Sequence, residues 1–122
     1  MRRIREEYLT GTSCTVVLCG KETPWRKFVD WEIKATLDKQ HGLVGVGLPD
    51  NPVTNGKVRV PDRFLDNYQS GYAVWLSWEQ LFLNQQPNVA VFRRAIENAN
   101  AKSKDLIENG RNLMSRNGVS PY

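Results

Sequence analysis

Apolar residues in this chain gather into three short continuous runs, separated by stretches whose apolar positions recur at helical spacing. Cys14 to Cys19 (CTVVLC) and Leu43 to Leu48 (LVGVGL) are compact runs bounded by polar residues or glycine. That is the pattern of strands buried on both faces. Tyr72 to Trp78 (YAVWLSW) reads as a third strand, rich in aromatic and β-branched residues. Between the first two runs, Thr23-Pro24 opens a helix, with Thr as cap and Pro where a missing N–H costs nothing. This helix is expected to run to about Gln40, with Gly42 as its terminator. Residues 2 to 9 (RRIREEYL) read as the end of a helix stopped near Gly11. Pro49 to Arg63, with three prolines and an Asn55-Gly56 turn, is expected to be a surface loop. Asn84 to Asn88 connects to a long helix from about Val89, whose stripe is Phe92, Ile96, Ala99, Ser103 and Leu106. Beyond Asn109-Gly110 the pattern weakens, and the tail to Tyr122 is expected to fray.

Helix, strand, helix, strand, then strand and helix predicts an α/β sandwich with a mainly parallel sheet. A chain of 122 residues has core enough for one domain, placed at 1–108, with a helix end and flexible tail at 109–122. Three strands are few for such a sheet, and on this reading no strand precedes the first helix.

Charge and composition narrow the function classes. The 17 basic residues are interleaved with 13 acidic ones rather than clustered, so nucleic acid is not the expected partner. No stretch approaches the roughly 18 apolar residues of a membrane span. Met1 to Glu7 is charged and lacks a signal-peptide core, so a cytoplasmic protein with no membrane partner is expected. Cys14 and Cys19 lie five apart on one strand and point to opposite faces, which predicts buried thiols rather than a disulfide. With His41 the sole histidine and no CxxC, neither a metal site nor a Cys–His or Ser–His–Asp device is expected.

One residue breaks the pattern. On the helix after the first strand, Thr36, Val29 and Ile33 fall to one side of Trp25, and Phe28, Ala35 and Trp31 to the other. Arg26, Lys27, Asp30, Lys34 and Asp38 gather on the opposite arc, while Glu32 falls about 20° from Trp25, within the apolar arc. A carboxylate there needs a hydrogen bond, an ionic partner or an opening into a cleft. Ligands of open α/β sheets bind beyond the carboxyl ends of the strands, where this helix begins. Pairing with a buried arginine or capping of a backbone amide explains Glu32 equally well.

Residues 12–51 (TSCTVVLCGKETPWRKFVDWEIKATLDKQHGLVGVGLPDN) resemble the core signature of the bacterial TIR-like family that includes the Thoeris antiviral-defence subunit. Its most specific element is aromatic-Val-x-aromatic-Glu-Ile, here Phe28-Val29-Asp30-Trp31-Glu32-Ile33. VPDRFLDNYQSGYAVWLSW, residues 60–78, is similar to the bacterial and phage branch. The resemblance covers roughly residues 1 to 105. It implies a flavodoxin-like fold, N-terminally truncated by the family's usual first strand and helix. It also implies cleavage of NAD at the nicotinamide–ribose bond to a cyclic ADP-ribose-type signal, with NAD as substrate and no other cofactor. Carried over by motif, the catalytic carboxylate is Glu32. An anion there would stabilise the oxocarbenium-like ribose left by nicotinamide. Lys21 and the Gly20 backbone would approach the pyrophosphate, or Lys21 is a solvated loop lysine. Trp25 would stack on a base, or belongs to the core. The missing strand would leave a sheet edge open, from which a homodimer is expected. The alternative is a non-catalytic TIR-like module that self-associates or binds a nucleotide signal.

Three remaining features have bland readings. Gly45-x-Gly47 lies inside a strand and is assigned to packing, not to a dinucleotide fingerprint. Asp66-Asn67 and Ser70-Gly71 either reach the crevice or make turns. Strand alternation puts Trp75 opposite Tyr72 and Trp78.

Overall fold

The computed structural model describes residues 3–7, 13–51, 53–54, 57–83 and 86–118. Strand β1 (Arg3–Glu7) pairs antiparallel with β2 (Ser13–Cys19), and β2 pairs parallel with β3 (Gly42–Gly47). A one-turn 3-10 helix (Thr23–Trp25) and helix α1 (Lys27–Asp38) make the β2-to-β3 crossover. After β3 come a short hairpin of β4 (Val53–Thr54) and β5 (Lys57–Val58), then helix α2 (Asp62–Gln69). Strand β6 (Val74–Leu76) adds in parallel to β3, giving the sheet order β1-β2-β3-β6. A short helix α3 (Trp78–Leu81), a hairpin of β7 (Phe82–Leu83) and β8 (Gln86–Pro87), and helix α4 (Val89–Ala101) follow, with a 3-10 turn at Lys104–Leu106. Three parallel strands with helices on both faces make an open α/β sheet of the flavodoxin-like kind.

The three buried runs become β2, β3 and β6, and alternation sorts their side chains between two cores. Val17 and Cys19 pack with Val29, Ile33 and Leu37 of α1 and Phe64 of α2. Cys14 and Val16 pack with Ala95, Ile96 and Ala99 of α4. The cysteines are therefore buried on opposite faces and are not joined in a disulfide. Burial pushes the Cys19 thiol up to about 12. Alkylation of Cys19 at pH 8 should therefore proceed at the unfolding rate, seen as modification that accelerates only in denaturant.

Several expectations are corrected. Within the expected helix end at residues 2–9, the described part, Arg3–Glu7, forms a strand instead, because β2 offers an unpaired edge and pairing satisfies its backbone. The edge expected to be open beside β2 is thus occupied. The expected stop at Gly11 lies outside the described residues. The helix after β2 starts later than Thr23-Pro24 suggests, since Arg26 is extended (ψ 120) and separates the 3-10 turn from α1. It ends on Gln40 rather than Gly42. Gln40 takes the left-handed conformation (φ 58), with His41 N–H on the Thr36 carbonyl and Gln40 N–H on that of Leu37. Those two bonds make a Schellman ending. The expected loop at Pro49 to Arg63 contains the β4–β5 hairpin, with the Asn55-Gly56 turn outside the described residues, and passes into α2. Helix α2 has no apolar stripe long enough to read from sequence. Ser77 caps α3 in a capping box with Gln80, a Ser-x-x-Gln signal open to sequence inspection. α4 stops at Ala101, short of Ser103 and Leu106.

Tyr72 and Trp75 share the α1-side core, whereas Trp78 joins the α4 side. Alternation fails at Tyr72 because β6 begins only at Val74. The glycines of β3 are packing glycines. A Cβ on Gly45 would lie 2.5 Å from Phe64 Cζ, and one on Gly47 2.8 Å from Trp75 Cζ2. Gly45→Ala should cost about 1–3 kcal/mol, read from the urea midpoint, because Phe64 and Trp75, which meet edge to face, would both have to shift.

Candidate functional site

Parallel register brings the carboxyl ends of β2 and β3, Cys19 and Gly47, side by side, so the loops that follow emerge at one edge of the sheet. Those loops are tied to each other. Leu48 N–H donates to the Cys19 carbonyl at 3.0 Å, and buried Asn51 donates through Nδ2 to the Cys19 and Arg59 carbonyls, each at 3.1 Å. The Thr23 hydroxyl accepts from Gly20 N–H at 2.8 Å and donates to the Leu18 carbonyl at 3.2 Å. Thr23, expected as a helix cap, instead braces the first loop.

Between the loops lies a crevice of about 380 Å³ with Leu18 and Leu48 as its apolar part and Gly20, Lys21, Glu22, Arg26 and Asp50 as its polar rim. Gly20 and Asp50 approach closely here: a Cβ on Gly20 would come to 3.0 Å from Asp50 Oδ1. Two cations face two carboxylates around this rim. A phosphate would therefore be held by directed contacts from Lys21 and Arg26, not by net field.

The sequence-predicted residues are only partly gathered. Gly20 and Lys21 line this crevice, and exposed Arg26, unflagged by the sequence reading, joins them. Trp25 borders a neighbouring cavity of about 550 Å³ that shares Arg26, and the Arg59 guanidinium lies 4.8 Å above its ring. Glu32 lines neither cavity. It is half-buried on α1, and its backbone carbonyl accepts the Thr36 hydroxyl at 2.9 Å.

The helical wheel placed the buried arc of α1 wrongly. Phe28 is 56% and Trp31 38% exposed, whereas Asp30 is 4% exposed. The buried positions Val29, Asp30, Ile33, Thr36 and Leu37 centre about 100° from Glu32. Glu32 thus flanks the core rather than entering it. The rotation has a cause that α1 alone does not contain: Arg63 of α2 is fully buried and takes Asp30 as its partner, Nε to Oδ1 at 2.8 Å.

Arg63 also anchors the C-terminal segment. Its Nη1 donates to Asn109 Oδ1 at 3.0 Å, and Nη2 to the carbonyls of Arg111 and Asn112 at 2.8 and 3.2 Å. Asn67 and Ser70, considered as crevice residues, serve the same segment. Asn67 exchanges hydrogen bonds with the Glu108 backbone, and Ser70 donates to the Leu106 carbonyl. Asp66 pairs with Arg111 at 2.8 Å, which holds its carboxyl below the usual range. The residues expected to fray are, from 109 to 118, bonded to α1 and α2.

Among the described residues no group of three metal-ligating side chains converges, and no helix is long and apolar enough to cross a membrane. Residues 1–52 match the family model described as Thoeris protein ThsB, TIR-like domain. That stretch contains β2, the Gly20–Glu22 loop, Trp25, Arg26 and Glu32. No curated protein and no solved structure matches the chain.

Proposed function

We propose that this chain, whose residues 1–52 match the Thoeris TIR-like family model, acts on NAD, cleaving the nicotinamide–ribose bond to yield a cyclic ADP-ribose-type signal in antiviral defence. The observation that carries the reading is the strand-end crevice inside the family-matched stretch, with Gly20, Lys21 and Arg26 on its rim. In this mechanism the Gly20 backbone and the two cations hold the pyrophosphate, and the nicotinamide-bearing ribose lies toward the Glu32 flank of α1. Departure of neutral nicotinamide takes the bonding pair from ribose C1, and the Glu32 carboxylate stabilises the positive charge left on the ring. A ribose or base atom that then attacks C1 closes the cyclic product.

A second reading is a nucleotide-binding TIR-like module without chemistry. It is favoured by one specific observation, that Glu32 borders neither of the two cavities at this end of the molecule. Incubating the intact chain with NAD separates the two. Release of nicotinamide, followed by chromatography, supports the enzyme. Saturable NAD binding with no nicotinamide released over hours supports the module and rejects the enzyme.

A further inference from the structure

Residues 111–118 cross the first turns of α1 as a strap. Met114 N–H donates to Asp30 Oδ2 at 2.9 Å, and the Met114 carbonyl accepts from Trp31 Nε1 at 2.9 Å. Asn117 Oδ1 accepts from Lys27 N–H at 3.0 Å, and Gly118 N–H donates to the Trp25 carbonyl at 2.7 Å. The cavity of about 550 Å³ lies between this strap and a wall made by Trp25, Arg26 and Arg59.

Charge around that space is unequally matched. Its carboxylates have partners, Asp30 in Arg63 at 2.8 Å and Asp62 in Arg111 at 4.0 Å. Arg26 and Arg59 form no ion pair among the described residues. The Trp25 Nε1–H is buried with no acceptor among the described residues. A concave space bearing two guanidinium groups without a carboxylate partner among the described residues attracts an anion, and the planar fork of arginine fits phosphate oxygens two at a time. The Arg59 guanidinium stacks on the Trp25 indole at 4.8 Å, which holds it at the cavity wall.

We propose that this strap-walled cavity binds a phosphate-bearing nucleotide through Arg26 and Arg59, and that its occupancy and the docking of residues 111–118 stabilise each other. The coupling follows from the construction: strap atoms form one wall, so a ligand in the cavity contacts the strap only while it is docked, and linkage makes the effect reciprocal. Gly118 is the close-contact point, where a Cβ would come to 3.2 Å from Trp25 Cε3. Glu32 has no part in this site, and a chain that leaves NAD intact still possesses it.

The intact chain is titrated with ADP-ribose and with inorganic pyrophosphate by calorimetry, and amide hydrogen exchange of residues 111–118 is followed with and without ligand. Arg59→Ala should weaken ADP-ribose binding about tenfold, as expected for loss of one charge-assisted contact. Arg93→Ala on α4, far from the cavity, should leave it unchanged, and saturation should slow exchange at Met114 and Gly118. Pyrophosphate binding with the same Arg59 dependence also supports the site and identifies the phosphates as the recognised group. Binding indifferent to Arg59→Ala but lost on Lys21→Ala puts the ligand in the strand-end crevice and overturns the proposal, as does no binding of either probe. Strap exchange unaltered at saturation overturns the coupling.

Discussion

Replacing Arg63 by methionine should remove about 3–5 kcal/mol of stability, the range measured when one partner of a buried ion pair is deleted. Domains of this size are stable by only about 5–15 kcal/mol, so the urea midpoint should fall by about a fifth or more. The argument rests on Asp30, which is 4% exposed and would be left buried without its guanidinium partner. Methionine fills much of the volume but donates nothing. The carbonyls of Arg111 and Asn112 and the amide oxygen of Asn109 would lose their donors as well. Pairing the change with Asp30→Leu should recover only part of the loss, because the apolar pair cannot bind those strap oxygens. A midpoint within error of wild type for Arg63→Met would contradict a buried pair.

Glu32→Gln should lower nicotinamide release by about 10²–10³-fold, the effect of deleting one electrostatic stabiliser of a transition state. The amide keeps the size of the side chain and removes the charge. Glu32 lies at the flank of the α1 core, and its side chain is not among the residues of either hydrophobic cluster. The unfolding midpoints of the two proteins are compared alongside, so that a loss of release is read at known stability. KM for NAD should change much less than kcat, since the charge acts on the ribose cation and not on the bound ground state. Equal release by both proteins would take Glu32 out of the mechanism and leave the nucleotide-binding module as the function.

How far the sequence could be read depended on the range of the interaction involved. β2, β3 and β6 were legible because burial on both faces demands a continuous apolar run, which is visible locally. The packing role of Gly45 and Gly47 was legible for the same reason, although the rings that require it, Phe64 and Trp75, were not. β1 was misread because RRIREE has a helix-compatible composition, and only the unpaired edge of β2 makes it a strand. Asp30 and Arg63 each look like surface residues alone. They are buried because α1 and α2 pack together and each ion supplies the other's counter-charge. That pairing turned the buried face of α1 away from the arc drawn through Phe28 and Trp31, and Glu32 moved with it to the margin.

Local pattern therefore determined the α/β class, the three buried strands, the loop at the end of β2 and the family signature around Glu32. Each depends on residues within a turn or a strand of one another, where periodicity and turn chemistry act directly. Tertiary structure alone decided which face of α1 is buried, what covers the outer edge of β2, and that the segment from Arg111 to Gly118 walls a cavity instead of trailing from a helix. Those outcomes depend on desolvated charges and backbone groups finding partners outside their own element, as β1 finds β2, Asp30 finds Arg63 and Met114 finds Asp30.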